Sequence, residues 1–171
     1  KYSIMEGWVA SRSFVDIHLL RYAEVLLNYA EAKFELNGSI SDADLDKSIN
    51  LLRTRAGVAH LSNSFVTQHG LDMREEIRRE RAVELAQEGF RYDDIMRWKI
   101  AEDVLPKPIL GAYYFANVYK VTNQARNAEG YIICESGEKR YFRPERDYLY
   151  PIPIREIGLS EGAIEQNPNW D

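Results

Sequence analysis

Residues 74–98 read REEIRRERAVELAQEGFRYDDIMRW, and the spacing of their charges decides how the chain folds. Nine of the residues ahead of Gly89 are acidic or basic, a density that by itself suggests a solvated strip. The periodicity argues otherwise. It predicts a helix over 73–88 on which Met73, Ile77 and Leu85 share a face with Arg81, Glu84 and Glu88, because residues three and four apart stack above one another. Charges set into an apolar stripe must find partners, since an unpaired buried charge is very costly. Gly89 then breaks the helix, and Tyr92, Ile95, Met96 and Lys99 give a second amphipathic segment carrying Asp93, Asp94 and Arg97. The expectation is a half-buried charge network at a helix–helix corner, made of Arg78, Arg81, Glu84, Glu88, Arg91, Asp94 and Arg97.

Upstream of this stretch the pattern is also helical. Over 19–37, apolar residues recur at Leu19, Tyr22, Ala23, Leu26, Ala30 and Phe34 opposite Glu24, Asn28, Glu31 and Glu35. Leu20 and Leu27 widen the apolar face, which predicts packing on two sides, and Gly38 sits where a C-terminal cap belongs. Ser41, followed by Asp42 and Asp44, opens a second helix with Leu45, Ile49, Leu52 and Ala56 as its buried stripe and Gly57 as its stop. Helix, turn and helix make a hairpin of tetratricopeptide size, and such a hairpin needs neighbours to bury both faces. Residues 58–70 read as a loop, and Asp72 caps the charged helix. Residues 1–18 read as irregular up to a helix entry near Asp16, with Trp8 a candidate for surface stacking or core packing.

Beyond Trp98 the helical pattern runs out by about Val104, before Pro106 and Pro108. Residues 109–147 mix aromatic and apolar residues with Gly, Asn, Thr and Ser. Tyr131–Cys134 and Lys139–Phe142, joined through Ser136-Gly137, are expected to form a β-hairpin, with a further short strand at 119–122. Residues 148–153 are extended around Pro151 and Pro153, a helical turn is expected at 155–157, and the tail Gln166–Trp170 is expected to wrap over the helices. The fold class is therefore mainly α. One domain is expected over 1–171, with a helical scaffold over 16–104 and a loop-rich part over 105–171 that carries a small β-hairpin.

The function classes narrow on composition. A net charge of −5 argues against nucleic acid as a partner, because the basic residues are interleaved with acids and form no stripe. No run of apolar residues is long enough to span a bilayer. Cys134 is the single cysteine, reads as a small buried residue, and has no histidine in a partner position. The chain begins Lys1-Tyr2-Ser3 with no signal peptide, as expected of a fragment or a processed chain.

Glu80, Glu84 and Glu88 lie one turn apart, about 6 Å per step, which overlaps the carboxylate spacing of glycosidases. Arginines within reach keep carboxylates ionised, the wrong state for a general acid. His18, His60 and His69 lack ligand spacing, and neither a phosphate loop nor a nucleophile elbow is present. The residues give no positive case for an enzyme, a metal or a cofactor. What remains is aromatic: Tyr113, Tyr114, Phe115, Asn117 and Tyr119 crowd one irregular segment, a composition suited to stacking on sugar rings and bonding their hydroxyls, or equally to core packing.

Four separated pieces resemble one family in the right order. They are Arg21–Ala32 (RYAEVLLNYAEA), Ile49–Gly57 (INLLRTRAG), Ile77–Trp98 with its RRER, EL and EGFRYDDIMRW elements, and Tyr150–Pro153 (YPIP) with Gln166–Trp170 (QNPNW). Together they resemble the SusD/RagB family of outer-membrane nutrient-binding lipoproteins, in its C-terminal part. The resemblance implies a tetratricopeptide-like helical scaffold. It implies a non-catalytic, lipid-anchored cell-surface protein that binds oligosaccharides, or peptides in some relatives, and sits as a lid on a SusC-like TonB-dependent transporter. The anchor and most ligand-contacting loops of the family would precede Lys1. The matched motifs are scaffold, so they carry no ligand residues; Trp8, Tyr113, Tyr114, Asn117 and Tyr119 are the candidates from composition. A rival reading is a tetratricopeptide-type scaffold that binds a protein or peptide partner on its helical face.

Overall fold

The computed structural model describes residues 19–118 and 123–170. Trp8, Tyr119 and the strand expected over 119–122 lie outside them. The chain divides into two compact units, one up to Phe90 and one from Arg91.

The first unit is built of helices whose ends are written in local chemistry. Helix α1 (Tyr22–Asn37) stops at Gly38, whose φ of +66° closes the last turn without a Cβ penalty. Helix α2 (Asp42–Asp46) is capped by Ser41, whose Oγ accepts the Asp44 N–H at 3.1 Å. The pattern over 41–57 suggests one helix, but two form. Ser48, at φ −132° and ψ −98°, separates α2 from α3 (Ile49–Ala56). Its hydroxyl donates to the Asp44 carbonyl at 2.6 Å, so a side chain takes over a bond the backbone would have made. Ala56, expected in the buried stripe, is exposed.

Residues 58–70 are not all loop. Helix α4 (Asn63–Gln68) is capped by Ser62 and carries Val66 into the core. Six residues are too few to display a helical period, which is why the pattern missed it. Helix α5 (Met73–Glu84) starts, as expected, at Asp72, whose carboxylate accepts the Glu75 N–H at 3.0 Å. It ends four residues short of Glu88, because Gln87 (φ 65°) and Gly89 (φ 90°) turn the chain left-handed.

Helix α1 packs against α5, α3 and α2, and α3 packs against α5. Leu27, Ala30, Leu45, Ile49 and Leu61 are fully buried, with Ile77 from α5 and Leu85 just after it in the same cluster. Each large aliphatic side chain buried this way contributes about 1.5–3 kcal/mol. Ala23, Leu26, Leu27 and Ala30 of α1 are buried, whereas Tyr22, Val25, Tyr29 and Leu36 are exposed among the described residues.

Helix α6 (Phe90–Arg97), which has all but its first residue in the second unit, is separated from α7 (Ala101–Val104) at Lys99, where φ is +54°. The Tyr148 hydroxyl accepts the Ala101 N–H at 3.0 Å and donates to the Glu102 carboxylate. Strands β1 (Ile109–Tyr113) and β2 (Tyr131–Cys134) form a two-stranded antiparallel sheet, and α8 (Ile154–Leu159) follows. The tail folds back on 145–152. Gln166 Nε2 donates to the Ile152 carbonyl and its Oε1 accepts the Ile152 N–H, and Trp170 Nε1 donates to Leu149 O. These bonds run to the neighbouring extended segment.

The expected hairpin partner of β2 was 139–142, and the observed partner is β1. The reason is that both edges of β2 are occupied. One pairs with β1. On the other, Ile133 N–H donates to Ala125 O at 2.8 Å, Asn127 N–H donates to Tyr131 O at 2.9 Å, and Arg126 bridges to Ile132. The turn at Ser136-Gly137 forms, but it delivers 139–142 to a sheet with no free edge on β2. Tyr141 is exposed and Phe142 packs edge-on against Tyr148 instead.

Candidate ligand-binding surface

The sheet register sets which aromatics meet. Leu110 pairs with Ile133, but Tyr113 pairs with Tyr131, so β1 uses three steps where β2 uses two. The extra residue is a β-bulge, and it changes the face on which the following side chain emerges. Without it Tyr113 would fall on the face opposite Leu110, since side chains alternate along a strand. With it, Leu110, Tyr113, Tyr131 and Ile133 share one face. Gly111 sits at the bulge, where a Cβ would approach Cys134 Sγ to 3.3 Å and Ile132 Cβ to 3.6 Å on the other face.

Three rings gather on the shared face. The Tyr113 and Phe115 centroids are 5.0 Å apart at 61°, and those of Tyr113 and Tyr131 are 5.6 Å apart at 87°. Such edge-to-face pairs are favourable, yet all three rings stay substantially exposed: Tyr113 44%, Phe115 53% and Tyr131 39%. Tyr113 also lies against the Gly130 turn. Gly130 has φ +93°, and a Cβ there would come within 2.9 Å of Tyr113 Cε2, so only glycine lets the ring settle in that place.

Of the residues singled out from sequence, Tyr113 joins this cluster. Tyr114 leaves it and stacks under the Arg126 guanidinium at 4.3 Å, and Asn117 is exposed in the turn that follows. Tyr131 was not singled out. Its only local signal is the preceding glycine, and its membership depends on a pairing between residues far apart in the chain. Cys134, expected to be buried, is exposed at the end of β2.

The charged residues occupy both units. In the first, Glu80 and Glu84 of α5, and Glu88 beyond its end, reach arginines on other elements. Arg21 Nη1 donates to Glu84 Oε1 at 2.6 Å, and its Nε donates to Glu88 Oε2 at 2.7 Å. Arg55 also bonds Glu84, and Arg53 bonds Glu80. Burial pushes the Glu84 carboxyl up, but the hydrogen bonds from Arg55 and Arg21 outweigh it and hold the group below its ordinary range. The Glu88 hydrogen bond raises the Arg21 guanidinium above its ordinary value. Arg81 is 5% exposed, donates to Asn28 Oδ1 at 2.8 Å, and stacks over Phe90 at 5.5 Å. Arg78 bonds Glu75 at 3.1 Å. In the second unit, buried Asp94 pairs with Arg97 at 2.8 Å, and both Arg91 and Arg97 lie over the Trp98 ring. These carboxylates are tied to guanidiniums, and among the described residues no group of histidine, cysteine and carboxylate side chains could hold a metal. No helix among them is long and apolar enough to cross a membrane.

The model of one known family, the SusD family, matches residues 1–170. The chain belongs to the SusD family. SusD-like protein P2 of Formosa agariphila is 28% identical to it across 99% of this chain and 29% of that protein. A SusD-like carbohydrate binding protein from Bacteroides fragilis superposes with a TM-score of 0.65 at 38% identity, covering 82% of this chain and 27% of that one. A second SusD-like protein from the same species gives a TM-score of 0.60 at 29% identity, over 88% of this chain and 25% of that one. The chain thus spans between a quarter and three tenths of the length of these relatives. In SusD terms, the pieces quoted from sequence fall on α1, α3, α5, α6 and the closing tail.

Proposed function

We propose that this chain is the C-terminal part of a non-catalytic SusD-like protein of the cell surface. In this reading the whole protein binds oligosaccharides and delivers them to a SusC-like TonB-dependent transporter of the outer membrane. Its membrane association is through a lipid anchor. The observation that carries the reading is the family match over residues 1–170, supported by the similarity to a Bacteroides fragilis protein described as carbohydrate binding. The net charge of −5 fits a neutral ligand better than nucleic acid. No cofactor or metal enters. The test is calorimetry of the full-length protein against soluble oligosaccharides, with affinity purification from outer membranes. Heat of binding together with a co-purified transporter supports the proposal. No binding to any glycan and no transporter recovered would sink it.

A further inference from the structure

We propose that Asn37-Gly38, at the junction of α1 and α2, is a site of spontaneous deamidation and isoaspartate formation that loosens this junction as the protein ages. The inference does not depend on what the protein binds. Of the asparagines in the chain, Asn37 is the one followed by glycine. The Gly38 backbone nitrogen loses its proton to hydroxide and attacks Asn37 Cγ. The new N–Cγ bond closes a succinimide, the Cγ–Nδ2 bond breaks, and the side-chain nitrogen leaves as ammonia with a proton taken from water. Water then opens the ring at either carbonyl. Opening at Cγ gives aspartate at position 37; opening at the main-chain carbonyl gives isoaspartate, with the chain now running through Cβ and Cγ. Nothing but water is consumed.

The fold leaves this pair accessible. Phe34 packs on the core, but residues 35–39 are all exposed. Gly38 has no side chain to shield its nitrogen, and a Cβ there would meet no neighbouring atom within 4 Å. Asn37 is the last residue of α1, so its carbonyl closes no helical turn, and helix ends open at little free-energy cost. Its carboxamide is tied to its own helix at the surface, Nδ2 donating to Lys33 O at 3.0 Å. Other asparagines are held more firmly. Asn63, ahead of the small Ser64, donates from Nδ2 to Ile40 O and to Asp42 Oδ1, and its backbone N–H goes to the same carboxylate. Asn127 accepts the Glu129 and Tyr131 N–H groups, Asn50 is buried, and Asn167 precedes a proline, which has no N–H to react.

The product harms the place where it forms. A carboxylate at position 37 sits at the negative end of the α1 dipole, with no basic residue in that last turn, and it removes the donor to Lys33 O. Isoaspartate also lengthens the main chain by one carbon, next to the left-handed cap at Gly38 and two residues before Ile40 enters the core.

The experiment stores the full-length protein at physiological temperature and mildly alkaline pH. Conversion at each asparagine is followed by peptide mapping, with fragmentation that distinguishes isoaspartate from aspartate. Asn37 is expected to convert roughly tenfold ahead of Asn63 and Asn127, the ratio that one or two hydrogen bonds of extra opening cost imply, with isoaspartate in excess. Tryptic cleavage after Lys33 is expected to quicken in the aged protein more than in fresh Asn37→Asp, which carries the charge without the longer main chain. Asn37→Gln, which cannot close the five-membered ring, is expected to keep the fresh rate through storage. Asn37 left intact while a synthetic peptide of residues 33–41 converts would overturn the proposal, because the folded helix end then protects the site. Conversion at Asn63 or Asn127 as fast as at Asn37 would overturn its selectivity, and an unchanged cleavage rate after full conversion would overturn the loosening.

Discussion

Arg21, one residue ahead of the first helix, donates to Glu84 Oε1 at 2.6 Å across 63 positions of sequence and also caps the Glu84 backbone carbonyl. One guanidinium thus closes the end of α5 and fixes where α1 begins. Arg55, in the last turn of α3, reaches the second oxygen of the same carboxylate. Three elements of the helical unit are tied at Glu84.

Glu84→Ala is expected to destabilise the protein by about 1–2 kcal/mol, because it removes the carboxylate shared by Arg21 and Arg55, while Arg21 keeps Glu88 and the exposed Arg55 is met by water. Glu84→Gln keeps the shape, loses the charge, and is expected to cost less. Urea melts of the two variants check the order. Equal stability of Glu84→Ala and the parent would show that the ties at this carboxylate contribute nothing.

The same carboxylate makes stability depend on pH with a definite sign. Its folded pKa lies below its ordinary 4.5, so it contributes stability that is complete above that value and is lost as pH falls through the lower, folded one. The parent's melting temperature is expected to fall more steeply below about pH 4.5 than that of Glu84→Gln, which lacks this proton site. Parallel curves for the two proteins would contradict the argument.

Asn50 stands in for a strand inside the helical unit. It is 3% exposed, its Nδ2 donates to the Leu61 carbonyl at 2.9 Å, and its Oδ1 accepts the Leu61 N–H at 2.8 Å. Asn50→Ala orphans both backbone groups and is expected to cost about 2–4 kcal/mol. Asn50→Asp saves the N–H but turns an acceptor toward the Leu61 carbonyl and toward Asp46, so it is expected to be no better than alanine. Chemical denaturation of both variants decides; a near-neutral Asn50→Asp would show that the amide donor is dispensable.

Gln166 does the same for the tail. Its amide bonds both backbone groups of Ile152, and its Oε1 also accepts the Asn167 N–H. Gln166→Ala is expected to free residues 163–170 while leaving the helices intact. Limited proteolysis should then cut within this tail with little change in the melting temperature, and an uncut tail would contradict the expectation.

Much of the helical scaffold is legible in residue order. Gly38 and Gly57 end helices, and Ser41 and Asp72 begin them, because a cap needs only atoms within a few residues of itself. The Arg81 position on the apolar face of α5 also follows from helical spacing, and the family follows from the order of four short pieces. The short α4 escapes the pattern because six residues do not complete a recognisable period, and the break at Ser48 escapes it because a single hydroxyl decided it.

Partnership and register came only from the folded chain. Spacing placed acids and arginines on 73–88, but not that Glu84 would be met from α3 and from ahead of α1, since those arginines become neighbours only when the helices pack. The sequence marked 131–134 as a strand and named a neighbouring run as its partner; β1 and 125–127 took the two edges instead. One extra residue between Leu110 and Tyr113 then moved Tyr113 to the face of Tyr131. Composition could mark the segment around Tyr113 as aromatic, but a bulge is a relation between two strands, and only pairing them decides which rings share a surface.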